Sequence, residues 1–92
     1  MPKVSYVEKT IYKMEGINVD FVKDGKNVRD DASLPKNYAA MRMTKNAANV
    51  YEFKLKLQKQ FPGYDFIIYD GYGNKARGNM LLANLRDTYL ED

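Results

Sequence analysis

The stretch Ile17-Asn18-Val19-Asp20-Phe21, followed closely by Lys23-Asp24-Gly25-Lys26, gives the clearest indication of fold in this chain. Apolar and polar residues alternate over residues 17–21, which is the period of a half-buried β-strand. The pair Asp24-Gly25 is typical of a type I′ turn, because both central residues of that turn take positive φ. Residues 27–29 would return as a short second strand. The sequence therefore predicts an antiparallel β-hairpin.

The length of the chain limits it to one small domain, which we expect to span residues 1–92. A chain of this size buries roughly 60–65% of the surface that its unfolded form exposes, enough for one modest core. Apolar residues make up 45% and charged residues 29% of the sequence, near the averages of globular domains. No apolar run approaches the roughly 20 residues of a membrane-spanning helix. We expect a soluble, cytoplasmic protein with no membrane segment.

Residues 4–15 fit two structures. As a helix, they place apolar residues on one side, and Ser5 and Glu8 would form a capping box ahead of a stop at Gly16. As a strand, they use β-branched and aromatic residues that favour extended structure. We favour the strand, which together with the hairpin gives a three-stranded meander, and keep the helix as the alternative.

Residues 45–61 are also ambiguous. From Tyr51 to Gln58 apolar and polar residues alternate, as in a strand. Most of these residues are nevertheless good helix formers, Thr44 is a plausible N-cap, and Pro62-Gly63 is a typical helix stop. We favour the helix, whose apolar face is interrupted only by Lys54. The residues of that face recur every three or four positions and are Ala47, Val50, Phe53, Leu57 and Phe61.

The remaining elements complete an α+β fold class. Residues 64–69 are apolar on both faces and predict a central strand. Residues 70–79 form a loop, and Asn79 would cap a last helix over residues 80–90. The predicted order β-β-β-α-β-α describes a small two-layer domain. It has an antiparallel sheet of about four strands with two helices packed on one face.

The residue types that are missing exclude many chemistries. There is no Cys and no His, so there is no disulfide framework, thiolate nucleophile, imidazole base or common transition-metal ligand. A deep catalytic cleft is also hard to build in so small a domain. We therefore expect a protein that is not an enzyme, with no catalytic residue, no metal site and no cofactor.

Positive charge is concentrated in the middle of the chain. Fifteen Lys and Arg residues stand against twelve Asp and Glu residues overall, but residues 32–63 contain Glu52 as their single acid. A helix over 45–61 would gather Lys45, Lys56 and Lys59 within about 60° at 100° per residue. Such a surface suits phosphate groups or an acidic protein partner. The cations that we expect to contact the partner here are Arg42, Lys45, Lys54, Lys56 and Lys59.

The loop 70–79 is rich in glycine and carries cations next to aromatic rings. Its spacing matches neither the dinucleotide-binding fingerprint nor the P-loop. Glycines nevertheless let backbone N–H groups approach a phosphate, cations neutralise it, and tyrosine rings stack on bases. A flexible connection kept soluble by its charges is the simpler alternative. The residues that we expect to bind here are Tyr69, Tyr72, Asn74, Lys75 and Arg77.

These features favour a non-enzymatic protein that binds DNA, RNA or a nucleoprotein complex through a basic, Tyr- and Gly-containing surface. The size and composition resemble those of small phage-encoded proteins, although no alignable motif supports the resemblance. It implies an alternative, a phage-type protein–protein inhibitor of host machinery (an anti-defence, anti-CRISPR-like protein) that acts on an acidic surface. A toxin-type RNase that uses Lys, Arg and Tyr in place of His is a third hypothesis.

Overall fold

The sheet has three strands in the order β2-β1-β3, and both pairings are antiparallel. The strands are β1 (Val19–Lys23), β2 (Lys26–Asn27) and β3 (Asp65–Ile68). They are seen in a computed structural model that describes residues 1–39 and 42–90. Within these residues, three strands replace the expected four, so the α+β class is confirmed and the strand count is wrong.

The predicted hairpin is present. Val22 pairs with Asn27 and Lys23 with Lys26. Asp24 and Gly25 both have positive φ, at 54° and 78°, as the type I′ turn requires. The return strand begins and ends earlier than expected, but the Val28 N–H still donates to the Phe21 carbonyl at 2.9 Å. Local turn chemistry therefore sets the register of this pair.

Residues 4–15 form a helix, α1 (Val4–Glu15), and the preferred prediction of a strand is wrong. Val4, Val7 and Ile11 lie on one side of the helix and are fully buried. Gly16 ends the helix in the left-handed conformation at φ 74°. Burial of a helical apolar stripe outweighs the β propensity of single residues, which amounts to about 1 kcal/mol at most.

The second helix, α2 (Val50–Gln60), confirms the preferred prediction for this segment but starts later than expected. Its N-cap is Asn49, whose side chain accepts from the Glu52 N–H, while Glu52 bonds back to the Asn49 N–H. This capping box is stronger than the single hydroxyl of Thr44. Lys45 therefore lies outside the helix, and the expected row of Lys45, Lys56 and Lys59 does not form.

β3 lies at one edge of the sheet, so the prediction of a central strand over residues 64–69 is wrong, and β1 is the central strand. A short helix, α3 (Leu82–Asp87), follows β3. The expected helix over residues 80–90 is therefore shorter, and its N-cap is Leu81 rather than Asn79. The element order is α-β-β-α-β-α, so the first element of the predicted order is corrected from strand to helix. None of the helices in the described part of the chain is long and apolar enough to cross a membrane.

One face of the sheet carries the aromatic part of the core. Phe21 and Phe66 are cross-strand partners with ring centroids 4.6 Å apart, and Phe61 packs on Phe21 edge to face at 5.0 Å. Each fully buried Phe contributes about 2–3 kcal/mol of hydrophobic stabilisation. Asp20 and Ile67 pair on the opposite face, where both are only half-buried. Two cavities border this more open side of the sheet.

Candidate functional site

The start of α2 is tied to the segment that precedes α3. Val50 N–H donates to Met80 O at 2.9 Å, and Tyr51 N–H donates to Gly78 O at 2.8 Å. Glu52 N–H donates to the Asn49 side chain at 2.8 Å, and Asn49 N–H donates to the Glu52 carboxylate at 3.3 Å. All four amides that the helix leaves without an intrahelical partner, those of residues 49–52, are thus satisfied by the protein itself. The α2 N-terminus positions the neighbouring segment and is not an anion site.

The glycine loop is closed around an internal carboxylate. Asp70 Oδ1 accepts from the N–H groups of Tyr72 and Asn74, both at 2.9 Å, and Asp70 O accepts from Gly73 N–H at 3.1 Å. Gly71 N–H donates to Thr88 Oγ1 at 2.7 Å. The backbone amides of residues 71–74, which include two of the three loop glycines, therefore have partners already. In this part of the loop, contact with phosphate would fall to the side chains.

Gly71 also fixes where the loop lies. A Cβ added there would come within 1.9 Å of the Thr88 carbonyl oxygen, so only glycine allows this close approach. The loop is held against the end of α3, and residues 75–78 are directed back along β3. Ala76 N–H donates to Ile68 O at 2.8 Å and completes that contact.

A cleft of about 190 Å³ lies between α2, the edge of β3 and residues 75–78. Its apolar surface comes from all three elements, and two lysines and one tyrosine surround it. This arrangement brings together Lys54 and Lys75 of the predicted site, together with Tyr51. The residues that line the cleft are Val50, Tyr51, Lys54, Phe66, Ile67, Ile68, Lys75, Ala76 and Gly78.

Lys54 reaches the cleft from the helix and pairs with Asp65 at 3.3 Å. The hydrogen bond from Phe66 N–H to the Asp65 carboxylate and the charge of Lys54 outweigh a small desolvation effect and hold the pKa of Asp65 below its ordinary value. Both side chains stay accessible, at 34% for Lys54 and 59% for Asp65. An ion pair this exposed is weak, so Lys54 remains available to a ligand.

Tyr51 is a site residue that sequence reasoning did not select. It is 59% exposed and lies three residues before Lys54, on the same side of α2. Residues at i and i+3 are neighbours on a helix surface. That spacing was the signal available, but it applies only when residues 50–60 are treated as a helix.

Lys56 belongs to a different structure, a buried polar cluster around Glu15. Lys56 Nζ lies 3.4 Å from Glu15 Oε2 and 2.9 Å from Thr44 Oγ1. Tyr38 Oη donates to Glu15 Oε2 at 2.5 Å, and Arg86 Nη2 donates to Glu15 Oε1 at 3.1 Å. We call these residues the Glu15 cluster. Lys56 is engaged in it and does not line the cleft.

The Glu15 cluster joins four parts of the chain. Glu15 is fully buried, and Arg86 also donates to the carbonyls of Glu15 and Thr44, at 2.9 and 2.8 Å. Burial raises the pKa of the Glu15 carboxyl. Hydrogen bonds from Tyr38 and Thr44 and the charge of Lys56 outweigh this effect, so the pKa lies below its ordinary value. Glu15 is therefore an ionised, internally satisfied carboxylate with a structural role.

The other predicted residues are distributed around the molecule. Arg77 and Tyr72 are exposed in the segment that borders the cleft, and Tyr72 is 69% accessible. The main chain of Asn74 closes the turn around Asp70. Lys59 lies about 140° around α2 from Lys54 at 100° per residue. Arg42 and Lys45 are exposed in the segment before α2, away from the cleft lining.

Tyr69 faces a second cavity of about 350 Å³ that lies between α1 and the sheet. Its hydroxyl donates to Asp20 at 2.7 Å, which with burial raises the pKa of Tyr69 to about 12. Glu8 lines the same cavity and accepts from Phe21 N–H at 3.1 Å. Burial raises the pKa of Glu8 to about 7. Tyr69 thus lines the second cavity rather than the cleft, although its main chain pairs with that of Lys75 in an isolated antiparallel bridge.

Residues 1–39 and 42–90 contain no group of three or more acidic side chains placed to hold a metal ion. Comparison with known proteins found no matching family model, no matching curated protein and no matching solved structure. The geometry of the cleft is therefore the basis for a functional assignment.

Proposed function

We propose that this protein binds nucleic acid, free or within a nucleoprotein complex, and catalyses no reaction. The observation that carries this proposal is the meeting of Lys54, Lys75 and Tyr51 around one apolar cleft. Cations neutralise the phosphate backbone, and an exposed aromatic ring offers a stacking surface to a base. The cleft supplies both kinds of contact.

The border of the cleft supports the same function. Arg77 and Tyr72 add a third cation and a second exposed ring within the loop 70–79 that contains Lys75. The Lys54–Asp65 pair is exposed, so a phosphate that displaces Asp65 costs little. Side chains would make the main contacts, because the backbone amides of residues 71–74 already have partners.

Binding rather than catalysis fits the placement of the titratable groups. Glu8, whose pKa is raised to about 7, and Tyr69, one of three tyrosines with a raised pKa, line the second cavity, and none of these four residues lines the cleft. The cleft thus joins its cations to apolar and aromatic surface instead of to a general acid or base. A cytoplasmic location, where nucleic acids are accessible, belongs to the same proposal.

A salt titration tests this function. We expect a labelled single strand of about 12 nucleotides, within the range that small binding domains cover, to bind with an affinity that falls as salt rises. Three phosphate contacts, from Lys54, Lys75 and Arg77, predict a slope of log K against log salt of about −2. Fluorescence anisotropy over a series of salt concentrations measures this slope.

A pair of double variants provides the control. Lys54→Gln with Lys75→Gln removes two contacts and should reduce the slope to about −0.7, with affinity at least tenfold lower. Lys13→Gln with Lys26→Gln removes the same charge from exposed positions outside the cleft and should change neither quantity by as much. Equal losses in the two double variants, or no binding at low salt, would overturn the proposal.

A further inference from the structure

Continuing from the proposed nucleic-acid binding, on which this step rests, we infer that the cleft holds one unpaired nucleobase and that the ligand is therefore single-stranded. The cleft has a volume of about 190 Å³, which suits a small planar ring. A duplex is usually bound along an extended surface rather than in such a cleft. Apolar side chains, including Ile67 and Val50, provide a surface for the face of a ring. A duplex keeps its bases stacked, and extracting one costs a few kcal/mol.

The edge of β3 adds hydrogen-bonding groups to this apolar surface. Tyr69 N–H bonds to Asn18 O across to β1, so in an antiparallel ladder the groups of Phe66 and Ile68 point the other way. Two contacts agree with this direction, since Ile68 O accepts from Ala76 N–H and Phe66 N–H donates to Asp65 Oδ1. Among the described residues, no strand covers β3 on this side.

On this edge, the Phe66 carbonyl and the Ile68 N–H have no hydrogen-bond partner among the described residues. They offer one acceptor and one donor, a combination that matches the edge of a nucleobase, which carries both. A phosphate carries acceptors alone and would use only the N–H. The cleft therefore fits a planar ring better than a phosphate, which is left to the cations at the border.

The two lysines of the cleft lie on either side of the proposed base position at the edge of β3. Lys54 enters from α2, and Lys75 enters from the segment on the other side of the cleft. A strand that places one base between them would bring the flanking phosphates to the two ammonium groups. Tyr51 then lies where its exposed ring can stack on the bound base. Gly78 is its neighbour across the cleft border, since a Cβ added at Gly78 would lie 3.7 Å from the Tyr51 Cβ.

An extended acidic peptide is a poorer occupant of the same edge. A peptide that adds a strand needs a run of main-chain hydrogen bonds along β3. Ala76 already occupies the Ile68 carbonyl, and the Asp65 side chain occupies the Phe66 N–H. Half of the outward groups of this short strand are thus engaged.

Three probes of equal length test the nucleobase subsite by anisotropy at one salt concentration. They are a single strand, the matching duplex, and a single strand without bases. We expect the single strand to bind at least tenfold more tightly than either of the other two. Equal binding of all three would overturn the subsite while leaving nucleic-acid binding intact, whereas no binding of any probe would overturn both.

Substitution of Tyr51 sharpens this test. Tyr51→Ala should weaken the single strand about tenfold and leave the base-free strand unchanged, because stacking on one base is lost. Tyr51→Phe keeps the ring and should restore the preference. Tyr6→Ala removes an equally exposed tyrosine, 58% accessible against 59%, from α1 and serves as the matched control.

A competitor separates the two kinds of ligand. Poly-glutamate supplies an acidic peptide without bases, and it should displace the bound single strand no better than salt of the same ionic strength. Displacement by poly-glutamate that Tyr51→Ala leaves unchanged would contradict the nucleobase subsite and favour an acidic protein partner.

Discussion

Lys54 and Lys56 are two residues apart on α2, yet they belong to opposite regions of the molecule. At 100° per residue they point about 160° apart. Lys54 borders an open cleft and pairs with the exposed Asp65. Lys56 points to the fully buried Glu15 and to Thr44. Equal charges on one helix thus serve a candidate binding site and an internal polar cluster.

The contrast shows that the role of a lysine depends on whether its carboxylate partner is exposed or buried. A lysine beside an exposed carboxylate keeps much of its hydration, and the pair adds little to stability. A lysine beside a buried carboxylate is part of the fold, because removing either partner leaves an uncompensated charge. Counting cations along residues 32–63 gives both the same weight, whereas their partners distinguish them.

The largest expected difference between the two regions is the loss of stability when the acidic partner of each lysine is neutralised. Glu15→Gln should lower the free energy of unfolding by about 3 kcal/mol, because Lys56 and Arg86 then lose the charge that compensates them. Asp65→Asn, the matched change at the cleft, should cost less than about 1 kcal/mol. Urea denaturation followed by circular dichroism measures both values. Similar losses for the two variants would remove the distinction between the two regions.

A smaller effect, on the pH dependence of stability, extends the comparison to α1. The pKa values of two carboxyls on this helix are shifted in opposite directions. The pKa of Glu8 is raised to about 7 from an ordinary 4.5, so the folded state holds a proton that the unfolded state releases. Its contribution to stability is present below about pH 4.5 and is lost as the pH rises towards 7. Glu15, with a lowered pKa, does the reverse and loses its contribution as the pH falls.

Glu8→Gln removes this titration and keeps an acceptor for Phe21 N–H. Relative to the wild type, the variant should therefore gain about 1 kcal/mol between about pH 5 and about pH 8, a value reduced for the half-buried position of Glu8. Urea denaturation at the two pH values measures the gain. A difference between variant and wild type that stays constant over this range would show that Glu8 is not held protonated.

The sequence predicts those elements whose cause is local. Asp24-Gly25 has the positive φ values that its turn needs, and the hairpin follows. The apolar face of α2 is read from spacing, since Val50, Phe53 and Leu57 are all buried as expected. Over residues 4–15, β propensity favours a strand, whereas the spacing of the apolar residues favours a helix. Burial of Val4, Val7 and Ile11 against the rest of the fold decides that case.

The sequence indicates only part of the candidate site, for a related reason. Charge singles out Lys54, Lys56 and Lys75 alike, but Lys54 and Lys75 line the cleft, whereas Lys56 lies in the Glu15 cluster. The partners of Glu15 are 23, 29, 41 and 71 positions away along the chain. No local pattern reports such contacts, so a buried carboxylate and its cations are found only once the fold is known.

The most direct test of the contrast between the two regions is one oligonucleotide titration on Lys54→Met and Lys56→Met, with urea denaturation of the same samples. We expect Lys54→Met to weaken single-strand binding about five- to tenfold and to change stability by less than about 0.5 kcal/mol. Lys56→Met should cost about 1–2 kcal/mol of stability and leave the affinity of the folded protein unchanged. Equal loss of affinity in both variants, with both fully folded, would contradict the account.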